Sequence, residues 1–143
     1  PVDTNQVPDI EWRDPRFWYY ANQGMESAVH GPLSTARRIG LDSPYRIAGK
    51  SGTAQVVAIK QGEKYDSEKL DERHRDHALF VAFAPADNPQ IAVAVMVENG
   101  ESGSGVAGPV ARQVMDAWLL DENGQLKPQF APSQAQQMVN RGN

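Results

Sequence analysis

The chain has 143 residues, of which 40% are apolar and 22% are charged, and it contains no cysteine. These proportions are typical of a globular domain or part of one, and the lack of cysteine excludes disulfide and zinc-thiolate scaffolds. The 14 basic and 18 acidic side chains give a net charge of −4, and the basic ones are scattered, so we expect no nucleic-acid partner.

The start of the chain and its longest apolar run bear on its cellular context. The chain opens on Pro1 rather than methionine and lacks a charged segment followed by an apolar one, so we expect a piece of a longer protein. The longest apolar run, residues 91–97, is far shorter than the roughly 20 residues of a membrane helix. We therefore expect no membrane contact by this segment.

The first part of the chain predicts one helix and one strand. Residues 1–16 contain three prolines and no sustained period, which indicates an irregular segment. Residues 17–29 carry apolar side chains at spacings of three and four before a Gly-Pro pair, which predicts a helix. Residues 32–44 are turn-rich and allow a second short helical turn. Residues 45–59 are rich in Val, Ile and Thr, which predicts a strand.

The next part predicts a hairpin. Residues 60–77 are polar throughout, as in a solvated excursion between two strands. Residues 78–84 and 91–97 are apolar runs separated by a turn-dense stretch, so they should pair as antiparallel strands. Both faces of this hairpin are apolar, and we expect both to be covered.

The region after Gly105 predicts an amphipathic helix that lies on the sheet. Its apolar stripe consists of Val106, Val110, Val114 and Trp118, flanked by Ala107, Ala111, Met115 and Leu119. Residues 121–143 are Gln-rich with little to drive packing, which indicates a tail that is disordered or draped over the surface. Together the elements predict an α/β fold of the α+β kind, an antiparallel sheet sandwiched between helices.

The most informative motif is the run Lys50, Ser51, Gly52 and Thr53 in the predicted strand. Alternation along a strand puts the hydroxyls of Ser51 and Thr53 on one side, where they can bind a carboxylate. Gly52 removes a side chain that would block an incoming peptide strand. Lys50 supplies positive charge, and the backbone N–H of Thr53 can point at a developing oxyanion. The alternative interpretation is a polar surface strand with an ordinary lysine.

The sequence around this motif resembles the C-terminal part of the transpeptidase domain of class B penicillin-binding proteins of Gram-negative bacteria. The stretches that carry the resemblance are residues 48–55, 75–85 and 91–100 and the helix through Trp118. The resemblance covers residues 10–120 approximately. It implies that residues 17–120 are the C-terminal portion of a penicillin-binding, β-lactamase-like transpeptidase fold.

By this resemblance, the intact protein is a peptidoglycan D,D-transpeptidase that cross-links stem peptides through an acyl-serine intermediate and binds β-lactams. The implied catalytic groups in this chain are Lys50 and Thr53, and the implied substrate-binding groups are Ser51, Gly52 and Thr53. No cofactor and no metal is implied.

The resemblance also implies partners and a location. The partners are the upstream part of the same protein, peptidoglycan stem peptides, β-lactams and the cell-elongation glycosyltransferase machinery. The location is the periplasmic domain of a bacterial protein anchored in the inner membrane.

Two of the three motifs that such enzymes assemble are absent from the chain. In family order, S-x-x-K and S-x-N precede K-[ST]-G. No serine here is followed by lysine at the third position or by asparagine at the second. Tyr20, Ala21 and Asn22 match a Y-x-N variant, but they fall within the predicted helix, which favours chance spacing. We therefore expect the nucleophilic serine in an upstream segment and no activity from the fragment alone.

Two further patterns point to other chemistry. Gly103, Gly105 and Gly108 form a literal G-x-G-x-x-G, which dinucleotide-binding folds use to seat a pyrophosphate. Pro109 follows the last glycine directly, so turn glycines at a helix start are the favoured interpretation.

Candidate metal ligands are Asp71, Glu72, His74, Asp76 and His77. A charged, solvated loop explains that cluster with fewer assumptions.

Other functions with the same strand motif stay open at this point. A serine β-lactamase or a D,D-carboxypeptidase would share it. A penicillin-sensing or peptide-binding module would keep the fold without turnover. The long flanking match favours the transpeptidase.

Overall fold

The computed structural model describes residues 10, 11, 13–57 and 71–131. Its helices and strands are α1 (Arg16–His30), α2 (Arg37–Gly40), β1 (Ala48–Ala54), β2 (His77–Ala84), β3 (Ile91–Val97) and α3 (Gly108–Leu119). Two 3-10 turns (Glu72–His74 and Pro128–Phe130) and one π turn (Gly103–Ala107) complete the described elements.

The three strands form one antiparallel sheet in the order β1-β2-β3. Ser51 lies opposite Phe80, and Val81 lies opposite Ala94. The predicted hairpin is confirmed, because β2 and β3 pair antiparallel along their length on either side of the turn-dense stretch.

The first strand is shorter than residues 45–59, the predicted range. Its ladder ends at Ala54, opposite His77. The backbone N–H of Val56 then donates to Asp76 Oδ1 at 3.2 Å, so its acceptor is a side chain and not a backbone carbonyl of β2. Residues 58–70, which hold the rest of this strand prediction and most of the polar excursion, lie outside the described residues.

Helices lie on both sides of the sheet, which confirms the predicted sandwich. Successive side chains just before β1 point to opposite faces. The hydroxyl of Tyr45 donates to Asp116 Oδ1 of α3 at 2.5 Å. The guanidinium of Arg46 donates to Glu26 Oε1 of α1 at 2.6 Å. Neighbouring residues thus bind different helices, so α1 and α3 cover opposite faces.

The core lies between the sheet and α3 and extends to α1 and α2 through Val29 and Ile39. Its largest fully buried side chains are Phe80, Ile39, Ile47, Met115, Leu119 and Val29. Ala78, Ala82 and Ala84 of β2 are also buried. Their small side chains allow the helix backbone to approach the sheet closely.

The helix α3 is rotated relative to the sequence-based expectation. The half of its stripe that is buried consists of Ala107, Ala111, Met115 and Leu119. Val106, Val110, Val114 and Trp118 are instead 40–54% exposed. An apolar stripe wider than one contact face cannot be buried against one sheet, and the smaller and more flexible side chains fit against the alanines of β2.

The sheet keeps an exposed apolar region on the face opposite α3. Val81 is 46% exposed and Met96 is 61% exposed. Complete cover of both hairpin faces, as expected from the sequence, is therefore not reached within the described residues.

Residues 121–131 fold back onto α3. Leu120 and Leu126 form a β-bridge, and Lys127 N donates to the carbonyl of Leu119 at 2.9 Å. The ring of Phe130 lies 6.3 Å from that of Trp118. This part of the tail is thus draped over the surface, and residues 132–143 lie outside the described residues. Among the residues described, no helix combines the length and hydropathy of a membrane span.

Candidate active site

The strand β1, which carries the Lys-Ser-Gly-Thr motif, is the edge strand of the described sheet. Lys50 and Thr53 are exposed, whereas Ser51 and Gly52 are half-buried. The motif therefore lies at an accessible edge, where a peptide can add as a further strand.

Two hydrogen bonds show which backbone groups of this strand point away from β2. The N–H of Ile47 donates to His30 Nε2 at 3.0 Å, and the carbonyl of Ser51 accepts from Lys50 Nζ at 2.5 Å. By contrast, the carbonyl of Arg46 accepts from Ala86 N, beyond the end of β2, at 2.9 Å. Backbone direction alternates along an antiparallel strand. The N–H of Thr53, two residues after Ser51, therefore points away from β2.

We call the side of residues 49–53 that faces away from β2 the open edge. The register puts Ser51 and Thr53 on the face of Phe80 and Ala78, and it puts Lys50 on the opposite face. The Lys50 ammonium reaches round the strand to the Ser51 carbonyl. The Lys50 ammonium and the outward N–H of Thr53 thus lie at the open edge, and Ser51 and Thr53 carry their hydroxyls on the adjoining sheet face.

A groove of about 720 Å³ separates Lys50 from α1. Its lining includes Tyr20, Ala21, Gly24, Met25, Ala28 and Leu33. These side chains are mostly apolar, and Lys50 is the charged residue among those lining the groove. Tyr20 and Leu33 of this lining are exposed, as is Lys50, so the groove offers an accessible apolar surface beside the ammonium.

The glycines around the motif serve close packing. A Cβ on Gly52 would lie 3.3 Å from Leu79 Cβ, so this glycine makes room for β2 as well as for an incoming strand. A Cβ on Gly103 would overlap the carbonyl oxygens of Leu79 and Gly52. One on Gly108 would lie 2.6 Å from Ile39 Cδ1. Packing therefore explains Gly103 and Gly108 of the G-x-G-x-x-G pattern.

Comparison with known proteins decides the family. Residues 15–116 match the penicillin binding protein transpeptidase domain. This chain belongs to that family. The sequence is 41% identical over 140 residues to the peptidoglycan D,D-transpeptidase MrdA of Escherichia coli strain K12, covering 93% of this chain and 22% of that protein. The chain thus spans about a fifth of the length of this relative.

Solved structures agree with this assignment. The crystal structure of Pseudomonas aeruginosa PBP2 in complex with WCK 5153 has a TM-score of 0.75 and 60% identity, over 92% of this chain and 26% of that one. PBP2 in its complex with MreC from Helicobacter pylori has a TM-score of 0.63 and 25% identity, over 82% of this chain and 20% of that one. The expected resemblance to class B penicillin-binding proteins, and among them to penicillin-binding protein 2, is confirmed together with the fold class.

Within this penicillin-binding fold, residues 71–77 hold the sheet end rather than gathering around an ion. His77 Nδ1 accepts from Asn99 N at 3.0 Å, and Asn99 Nδ2 donates to the carbonyl of Arg75 at 2.8 Å. Across the described parts of the chain, no three His, Asp or Glu side chains are grouped to hold a metal ion. Tyr20, Ala21 and Asn22 lie within α1, as expected from the sequence.

His30 is the residue of this site that sequence reasoning missed. It ends α1, just before the Gly-Pro pair at which the sequence predicted the end of the helix. Its ring instead binds the backbone of Ile47, 17 residues later. No local spacing marks such a pair, because it forms only when α1 is placed against the strand.

Proposed function

We propose that the intact protein is a peptidoglycan D,D-transpeptidase and that this chain supplies the edge to which its peptide substrate binds. A serine outside this chain attacks the D-Ala-D-Ala peptide bond and expels the last D-Ala. The acyl-serine then passes its acyl group to an amine of a neighbouring strand. The observation that carries the proposal is the outward backbone of the Lys-Ser-Gly-Thr strand in a transpeptidase-family chain.

Each motif residue has a role in this reaction. The hydroxyls of Ser51 and Thr53 bind the terminal carboxylate, and the Lys50 ammonium attracts it. The N–H of Thr53 donates to the oxyanion that develops on the attacked carbonyl. Gly52 lets the peptide lie close to the strand. The reaction requires no cofactor, and a β-lactam would acylate the same serine.

The nucleophile and its base belong to the rest of the protein in this proposal. The chain has neither S-x-x-K nor S-x-N. The exposed Val81 and Met96 offer an apolar surface for that upstream part. We further propose that this chain belongs to the periplasmic domain of an inner-membrane-anchored protein that works with the cell-elongation glycosyltransferase machinery.

A charged residue introduced on the exposed sheet face should change the stability of the intact protein but not that of the lone chain. We expect Met96→Asp to destabilise the intact protein by about 2 kcal/mol or more, because burying an unpaired carboxylate is costly. In the lone chain, where Met96 is 61% exposed, the change should be close to neutral. Gln90→Asp, at the exposed turn before β3, should be neutral in both. Thermal melting of both forms measures this, and equal melting temperatures for Met96→Asp and the parent in the intact protein would contradict the proposed cover.

The reaction itself is tested with the intact protein, a stem pentapeptide and an acceptor amine, followed by mass spectrometry. A cross-linked product with loss of one D-Ala supports the transpeptidase. Release of D-Ala without cross-linking would indicate a carboxypeptidase instead. Repeated hydrolysis of penicillin would indicate a β-lactamase, and a stable adduct without any peptide turnover would indicate a sensor.

A further inference from the structure

His30 joins α1 to the strand that carries the motif. Its Nε2 accepts the N–H of Ile47 at 3.0 Å. On its other side the ring is pressed against α2, since a Cβ on Gly40 would lie 2.7 Å from both Cε1 and Nδ1. Contacts on two sides therefore fix the ring.

The hydrogen bond from Ile47 uses a backbone group that points away from β2. Ile47 and Thr53 are separated by six residues, or about 20 Å of extended strand. Ile47 and Ala48 are fully buried, so a peptide strand cannot reach the N–H of Ile47, and His30 supplies its acceptor. The next outward N–H groups along the strand are those of Gly49, which is buried, and of Ser51, which is half-buried.

We propose that His30 is a positioning residue that anchors the buried start of this strand to α1 at Ile47, so that a bound peptide ends beside Lys50 and runs toward Thr53. This inference rests on the proposed function and adds to it the residue that positions the bound peptide. A chain that stops at this point places its terminal carboxylate next to the Lys50 ammonium. A peptide that continued past its last residue would meet the end of α1 instead. The edge thus selects free carboxyl termini.

This role requires a neutral imidazole, because Nε2 must accept a hydrogen bond. Burial lowers the pKa of His30, the charges of Arg46 and Arg112 lower it further, and Glu26 partly opposes them. The unfolded chain binds the proton more readily, so the stabilisation is present above about pH 6.5 and decreases as the pH falls below that value. Acid should therefore loosen the start of the open edge.

The test uses the intact protein and compares His30→Ala with His30→Gln. We expect His30→Ala to lower the rate constant of acylation by a labelled penicillin about tenfold, because the start of the strand, and with it the motif, is no longer held in position for the reaction. His30→Gln retains an acceptor and should keep the parental rate at pH 7. Its acylation rate should also not decline below about pH 6.5, as that of the parent should, because an amide does not titrate.

Asp121→Ala is the matched control. Asp121 Oδ1 accepts from the backbone N–H groups of Asn123 and Gln125 at 2.8 and 3.0 Å, in the segment that follows α3. This variant should acylate at the parental rate even if its melting temperature falls. A general loss of stability is thereby separated from a loss of positioning.

Several outcomes would overturn the inference. Acylation of His30→Ala at the parental rate would overturn it. An equal loss of acylation rate in Asp121→Ala would also overturn it. If His30→Ala does not fold, the pH comparison decides, and an identical acid decline in the parent and His30→Gln would overturn the assignment. Failure of the parent to react with penicillin at all would overturn the proposed function as well.

Discussion

Thr53→Pro is expected to lower acylation of the intact protein by about two to three decades, the usual effect of removing one oxyanion donor. Proline lacks the backbone N–H, and the N–H of Thr53 points away from β2. The substitution should therefore remove the catalytic donor without removing a bond of the β1–β2 ladder. Stopped-flow measurement with a fluorescent penicillin gives the rate.

Thr53→Ala is the matched control for this prediction. It retains the N–H and loses only the hydroxyl, so its rate should fall much less than that of the proline variant. A melting curve must show that Thr53→Pro still unfolds cooperatively. A folded Thr53→Pro protein that acylates as fast as Thr53→Ala would show that this N–H does not stabilise the oxyanion.

Lys50→Ala and the pair Ser51→Ala with Thr53→Ala are each expected to slow acylation by about one to two decades. A hydrogen bond to a charged group contributes about 1.5 to 3 kcal/mol, and about 1.4 kcal/mol corresponds to one decade. The loss should appear in the second-order rate constant, because both variants weaken the carboxylate contact.

Lys127→Ala is the control for the loss of a lysine. Its ammonium donates to the carbonyl of Trp118 at 2.7 Å, at the end of α3. It should acylate at the parental rate. If the Lys50→Ala and double alanine proteins also react at that rate, the open edge does not bind the carboxylate.

The hairpin and the final helix were predictable because their signals are local. Residues 78–84 and 91–97 are apolar and separated by a turn, and the observed strands differ from them by one residue at most. The helix predicted over residues 17–29 extends one residue further at each end. The Lys-Ser-Gly-Thr motif could be placed on a strand because the strand signal around it is also local.

Features that depend on tertiary packing were not predictable. The stripe on α3 is wider than the face it buries, so periodicity did not decide whether Val114 or Met115 faces the core. The end of β1 depends on Asp76, which is distant in sequence from Val56. The role of His30 likewise depends on a partner in another element. The outward direction of the Thr53 N–H required the register with β2.

We propose above that this chain is the substrate-binding part of a serine acyltransferase whose nucleophile lies elsewhere in the protein. Intact-mass measurement after incubation with labelled penicillin, followed by peptide mapping of the adduct, tests it most directly. We expect one adduct per intact protein, on a serine outside residues 1–143, and none on the isolated chain. An adduct on a serine of this chain would contradict it.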